Sequence, residues 1–348
     1  MLYIHQTTCI SAQQTFPNRE LETLHDATGN KLLAIEPSYE GIPKSALRRM
    51  SKPVRMGVGA ALPITGHSTE LDGIIIGTAN AGMEDCFHFL KQMVEYNEGL
   101  LTPGNFVQST PNALAGQLGM LKQNKGYNIT HVHLGLAFEN ALLDAVMRLE
   151  EYPTHNYLLG AVDDISVYNY AINLLDGRFK AEQVPGTGLY NSGTPGTIPG
   201  EGATMFLVNT VKENSLAKLV GLETIHSKDE AEIAHQLKIF IDKSLPANET
   251  ISLLISGENG DSRLMKFYTA CEDLLPATTG IVRYKHMSGE YPTAVAMALW
   301  IACGIFQKDA LPAHMIKKEW PQSEPGYILI YNNFKGAQHS FILLSNPA

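Results

Sequence analysis

Gly73-Ile74-Ile75-Ile76-Gly77-Thr78-Ala79-Asn80-Ala81-Gly82 sets the architecture of the chain. Three adjacent isoleucines bounded by glycines read as a short strand buried on both faces, as in parallel sheets. The small residues behind it form a turn, and Met83, Phe87, Leu90 and Val94 then recur at helical spacing. The same rhythm returns downstream. Residues 127–134 read as a strand, Gly135 as a sharp turn, and residues 137–150 as a helix with Phe138, Leu142, Ala145 and Leu149 on one face. Working outward, residues 2–11, 157–162, 203–209, 251–256, 327–331 and 340–344 have strand character, and residues 55–62, 227–245, 264–275 and 293–304 helical character. The glycine- and proline-rich segment 185–202 reads as a structured surface loop. Strand alternating with helix throughout predicts an α/β chain of layered, buried sheets. There is no residue-level repeat and no low-complexity linker, so residues 1–210 and 211–348 are expected as two tightly packed halves of one unit.

Composition agrees. The 348 residues are 44% apolar and only 18% charged, which supplies a large core and excludes disorder. Acidic residues outnumber basic ones, 35 to 26, and the formal charge of −9 argues against nucleic acid or an anionic membrane as the main partner. Cys9, Cys86, Cys271 and Cys303 lie far apart with no CxxC pair, so neither a zinc site nor a disulfide framework is encoded. Segment 185–202 lacks GxGxxG and GxxxxGK[ST] and leads into a strand, so no nucleotide or other cofactor is expected. No uncharged apolar run approaches the roughly 20 residues of a membrane span. The opening Met1-Leu2-Tyr3-Ile4-His5-Gln6 lacks the basic head of a leader, so a soluble, cytoplasmic protein with reduced thiols is expected.

Six fragments, in order, resemble the beta-ketoacyl-acyl carrier protein synthases. They are Arg48-Arg49-Met50, the turn Gly77 to Gly82, Pro103-x-x-Phe106-x-x-Ser109-x-x-Asn112, Gly200-Glu201-Gly202-Ala203, Lys285-x-x-x-Gly289 and Asn332-x-Phe334. The resemblance covers most of the chain. It implies the thiolase-like fold, two duplicated βαβ halves stacked in α-β-α-β-α layers, and transfer of acyl chains from an acyl carrier protein. In active members the elbow before a central helix carries a cysteine, whose thiol pKa the helix N-terminus lowers. Here the elbow reads Thr130-His131-Val132-His133-Leu134-Gly135-Leu136-Ala137-Phe138, and anchoring on the helix that follows puts Gly135 at the nucleophile position. A one-residue slip offers only Leu134, Leu136 or Ala137. The first catalytic histidine of the family falls on Gly257-Glu258-Asn259-Gly260-Asp261, where Glu258 or Asn259 replaces it; the second falls on Glu290, after Lys285-x-x-x-Gly289. A carboxylate there opposes a developing enolate, which needs donors. The stretch 261–285 is also shorter than in active members.

The remaining candidates are weaker. His131 and His133, one residue apart, share a face of a strand; no third ligand accompanies them, so a metal is not expected and they read as hydrogen-bonded histidines near the vacated pocket. His286 and His339 are isolated imidazoles that could stand in for a missing one, although His286 lies four residues before the expected place. Phe334 completes the pocket candidates. Cys86 lies near the start of its helix, which follows the wrong strand for the synthase nucleophile. The resemblance places Phe106, with Val107 and Gln108 beside it and Asn112 holding the loop, at a tunnel across a dimer interface.

Together these changes point to a chain-length-factor-like homologue without catalysis of its own. Such a chain pairs with an active ketosynthase, or with itself, alongside acyl carrier protein in type II fatty-acid, polyketide or aryl-polyene biosynthesis. Two alternatives stand beside it: a thiolase-fold acyltransferase or malonyl decarboxylase with relocated groups at Asn259, His286 or His133, and a homodimer that binds acyl chains or carrier protein without catalysis.

Overall fold

The computed structural model of the chain describes residues 1–66, 70–99, 101–321 and 325–347. The first half runs β1 (Leu2–Ile10), α1 (Lys44–Leu47), α2 (Lys52–Ala61), β2 (Gly73–Gly77), α3 (Met83–Glu95), α4 (Pro103–Gln108), α5 (Ala113–Lys122), β3 (Tyr127–His131), α6 (Ala137–Glu151), β4 (Tyr157–Asp163), α7 (Val167–Leu175) and β5 (Gly202–Asn209). The second runs β6 (Ala217–His226), α8 (Glu230–Ser244), β7 (Leu253–Ser256), α9 (Met265–Glu272), β8 (Gly280–Arg283), α10 (Lys285–Ser288), α11 (Val295–Phe306), β9 (Ile316–Lys318), β10 (Tyr327–Phe334) and β11 (Gln338–Ser345).

The strands form one 11-stranded mixed sheet in the order β3-β2-β4-β5-β1-β6-β11-β10-β7-β8-β9. Each half repeats the other. β2 is parallel to β3 and β4, β4 antiparallel to β5, and β5 antiparallel to β1. In the same relation β7 is parallel to β8 and β10, β10 antiparallel to β11, and β11 antiparallel to β6. The duplication that no residue-level repeat reveals is therefore explicit in strand order and direction. The halves join where Leu2, Tyr3 and Ile4 of β1 pair with Leu219, Lys218 and Ala217 of β6.

Helices fill the layers. α2 and α5 cover the outside of the first half with Val54, Val58, Leu114 and Leu118, and α8 and α9 cover the second with Ile233, Leu237, Phe267 and Cys271. Between the halves lies a central layer of α6 and α11, packed into one core with Ile75 and Phe206 from one side and Ile255 and Ile330 from the other. Every residue of α11 is buried, as expected for a helix apolar on all faces and enclosed on all sides. α6 buries the stripe read from its sequence, Phe138, Leu142, Ala145 and Leu149. The phenylalanine and the two leucines each contribute roughly 1.5–3 kcal/mol on burial. The result is the expected α-β-α-β-α stack.

Two expectations are revised. Segment 185–202 is a surface loop only at its start, because residues 197–202 are buried. There the Glu290 amide donates to the Ile198 carbonyl at 2.8 Å and the Gly200 amide to the Glu290 carbonyl at 3.0 Å. The approach is so close that a Cβ on Gly200 would overlap the Ser288 backbone. The α3 stripe is helical as read but faces outward, with Leu90 49% and Val94 80% exposed.

Candidate functional site

β3 ends at His131, and the chain turns through Leu134, Gly135 and Leu136 into α6. Leu134 bends with φ +50, a left-handed backbone that costs a leucine roughly 1–2 kcal/mol. The elbow has the sharpness required to present a side chain, yet Gly135 presents none. A Cβ at Gly135 would overlap the Cβ and ring of Phe334, which arrives from the end of β10. The Gly135 amide is also engaged: it donates to Gln338 Oε1 at 2.9 Å, while Gln338 Nε2 donates to the His133 carbonyl at 3.3 Å. At this elbow both the volume of a nucleophile and the amide beside it are taken by other parts of the chain.

In front of the elbow is a cavity of about 90 Å³ between the two halves, bordered by Leu134, Phe334, Asn259 and Glu290 together with Asn80, Asp164, Asp261 and Tyr291. Three sequence candidates far apart in the chain thus meet here: Asn259 after β7, Glu290 after α10, and Phe334. Lys285, fully buried on α10, donates to Glu290 Oε1 at 2.7 Å, and Asn259 Nδ2 donates to Glu290 Oε2 at 2.8 Å. Asn259 Oδ1 in turn accepts from the Asp261 amide at 3.1 Å. Glu290 therefore has a partner on each carboxylate oxygen, and one of the two N–H groups of the Asn259 amide is taken by it. Behind them Glu139 of α6 is fully buried; burial pushes its pKa up to about 7, against the Ser340 hydroxyl that donates to it at 2.6 Å and the nearby Lys285 charge. Its second oxygen has no hydrogen-bond partner among the described residues.

The other candidates lie elsewhere. Glu258, one residue from Asn259, is buried between Arg283 at 3.0 Å and Lys317 at 2.6 Å, away from the cavity. His286 is not a pocket residue. Its chain of bonds has one consistent neutral assignment: the Leu21 carbonyl can only accept, so His314 donates from Nε2 (2.8 Å) and accepts at Nδ1 from His286 Nε2 (2.8 Å), whose Nδ1 accepts from Tyr190 (3.0 Å). Burial, with His314 and Arg283 adding repulsion, pushes His286 down to about 3. His339 is likewise held inside the second half, donating to the Ser227 carbonyl at 3.1 Å and accepting from Tyr331 at 3.0 Å; burial pushes it down to about 4. His131 and His133 do not share a face, because the strand ends between them. His131 meets Asp144 at 2.9 Å and His133 is exposed. No cluster of three or more metal-ligating side chains occurs among the described residues.

Phe106 and Val107 lie on the surface of α4, with Phe106 58% exposed and its ring 5.3 Å from that of Phe89. Gln108 accepts from Ser51 at 3.5 Å, and Asn112 accepts from Thr130 of β3 at 2.8 Å, tying the loop to the sheet edge. Cys86 does not border the cavity, and burial pushes the thiols of Cys9, Cys271 and Cys303 up to about 11, 12 and 12. Sequence reasoning missed Gln338, Glu139 and Asp164. Glu139 gave a signal in hindsight, since it lies in the first turn of the helix that follows Gly135.

No family model and no curated protein matches the sequence. Solved structures do match, over 99% of the chain. A beta-ketoacyl synthase from Burkholderia phymatum STM815 superposes with a TM-score of 0.76 at 12% identity, over 98% of its own length. The chain has the beta-ketoacyl synthase fold. The ishigamide ketosynthase/chain length factor superposes at 0.73 with 15% identity, over 99% of its length. The type II polyketide AntDE:AntF assembly, an acyl carrier protein in complex with its ketosynthase bound to the hexaketide, superposes at 0.79 with 11% identity, over 98% of its matched chain. The thiolase-like layers expected from the sequence are therefore those of the synthase fold, and no helix among the described residues is long and apolar enough to cross a membrane.

Proposed function

We propose that the chain is a noncatalytic, chain-length-factor-like subunit that pairs with an active ketosynthase in type II fatty-acid, polyketide or aryl-polyene biosynthesis and bounds the acyl tunnel. The observation that carries this reading is the filled elbow: Phe334 occupies the volume a side chain at Gly135 would need, and Gln338 takes the Gly135 amide. Asn259 and Glu290, which the resemblance puts in the places of the two imidazoles, are bonded to each other and Glu290 to Lys285 as well, so the Glu290 carboxylate is engaged on both oxygens rather than free to take a proton from a thiol. The relocated decarboxylase is less well supported, because His286 and His133 do not border the cavity that holds Asn259.

Pairing is supported by an open edge. Among the described residues β3 pairs with β2 alone, and the neighbouring surface exposes Phe106, Val107, Val132 and Leu134. An unpaired strand bordered by apolar side chains favours a partner that presents a like edge. Among the structural neighbours are a ketosynthase/chain length factor and a ketosynthase bound to its carrier protein, which is the assembly this reading assigns to the chain. The test is co-expression with an active ketosynthase: a stable heterodimer that turns over acyl and malonyl carrier proteins, with Phe106→Ala lengthening its products, supports the reading. Carbon dioxide release by the chain alone would overturn it.

A further inference from the structure

Asp164 follows β4 and borders both the cavity and a second cleft lined by Lys52, Arg55, Glu84, Asp85 and His88, and it is 6% exposed. The donors in this corner are committed to its neighbours. Asp163 accepts from the Ala79 and Asn80 amides at 2.9 and 2.7 Å, from Thr78 at 3.2 Å, and from the Thr293 amide and hydroxyl at 3.2 and 2.8 Å. Glu201 accepts from the Ala34 and Ile165 amides at 2.8 and 3.0 Å and from Lys52. No donor among the described residues reaches the Asp164 carboxyl. A buried carboxylate between two satisfied anions is costly to ionise, so the cheaper state is the neutral acid.

The charges around it favour the same state. Asp163 on its own strand and Glu201 before β5 both repel an ionised Asp164, as does the more distant Glu84 of α3; Lys52 of α2 opposes them but is paired with Glu201. On the cavity side Glu290 is held by Lys285, Asp261 by Arg263 and Arg178 by Asp176, while Lys335 donates to Asn173. Burial, reinforced by Asp163 and Glu201, pushes Asp164 up to about 7. A carboxylic acid kept neutral in an apolar site serves as a hydrogen-bond donor. The cavity wall mixes apolar Ile165, Phe179, Leu264, Pro292 and Phe334 with the polar side chains of Asn80, Asn169 and Asn173.

We propose that Asp164 is the recognition group of the cavity, its carboxylic O–H donating to the carbonyl of a neutral acyl thioester while the anionic corner repels free carboxylates. This rests on reading the cavity as an acyl chamber and is independent of whether the chain turns over substrate. The test is calorimetric titration of the full chain with the hexanoyl thioester of N-acetylcysteamine, with hexanoate and hexylamine as charged comparators, at about pH 6 and about pH 9. Thioester affinity should fall at least about tenfold at the higher pH, following the loss of the protonated form. Asp164→Asn, isosteric and still a donor, should bind equally at both pH values; Asp164→Ala should bind weakly at both, with hexanoate excluded throughout. Wild-type affinity that ignores pH, Asp164→Ala binding like wild type, or hexylamine binding in preference to the thioester would each overturn the inference alone. Absence of thioester binding by every form, with pairing to a ketosynthase intact, would overturn the acyl reading of the cavity and this inference with it.

Discussion

The two halves share strand order, strand direction and layer position, but they end differently. In the second half β8 is followed at the sheet's edge by the short β9, through Ile281 with Lys318 and Val282 with Ile316. Its counterpart β3 in the first half has no such added strand among the described residues. The apolar surface follows the same division. From residue 211 onward only Val211, Ile239 and Leu274 are large apolar side chains exposed by more than about a third among the described residues, whereas residues 87–175 expose a long series that includes Val94, Phe106, Val132 and Leu175. Duplication preserved what the core requires. What separates the halves is what each presents to the outside: a strand edge bordered by apolar side chains on one, and a shorter, less apolar edge on the other.

That contrast can be tested from several directions. The largest expected effect is acid sensitivity of the second half, since the two strongly depressed imidazoles among the described residues, His286 and His339, belong to it. In the unfolded chain an imidazole binds its proton near pH 6.5, while in the folded chain these two resist it until about 3 and about 4. Unfolding therefore takes up protons below 6.5, and stability is lost as pH falls through that window, on the order of 5 kcal/mol for the pair. Hydrogen exchange followed from pH 7 to pH 4 should show amides of β7, β10 and β11 losing protection before those of β2 and β4; uniform loss would break the comparison. Next in size is the open edge. Phe106→Asp should weaken association with a partner by about 2–4 kcal/mol, read by sedimentation as dissociation at concentrations where wild type stays paired. Gly135→Ala should lower stability by about 1–3 kcal/mol in urea unfolding, because the added methyl meets Phe334. Leu274→Asp, an exposed apolar position on the second half, should change neither association nor stability by more than about 0.5 kcal/mol.

Much of this was legible in the residues themselves. The Ile74–Ile76 run and the stripes of α6 and α11 are strong because burial on every side leaves no room for polar residues, and the elbow before α6 was located to within one position. The duplication was not legible, because it resides in strand order, and 3.6- or 2-residue periodicities carry no record of which strands neighbour each other. β6 escaped notice because Lys218, Gly221 and Glu223 interrupt its apolar pattern, although both of its edges are paired. The site divided in the same way. Asn259, Glu290 and Phe334, distant in sequence, border one cavity. His286 and His339 could not be placed from sequence, since an imidazole that completes a buried chain of hydrogen bonds looks the same in one dimension as one poised for chemistry. Gln338 went unseen because its role depends on a hairpin turning β11 back across the elbow.

The central claim is that the elbow holds no reactive group and has no room for one. Intact-mass analysis of the isolated chain incubated with a long-chain acyl carrier protein, wild type beside Gly135→Cys, tests it most directly. The expected spectrum shows both proteins unmodified after the paired ketosynthase control has been fully acylated. A stable acyl adduct on the wild-type chain, mapped to any side chain bordering the cavity, would contradict the account.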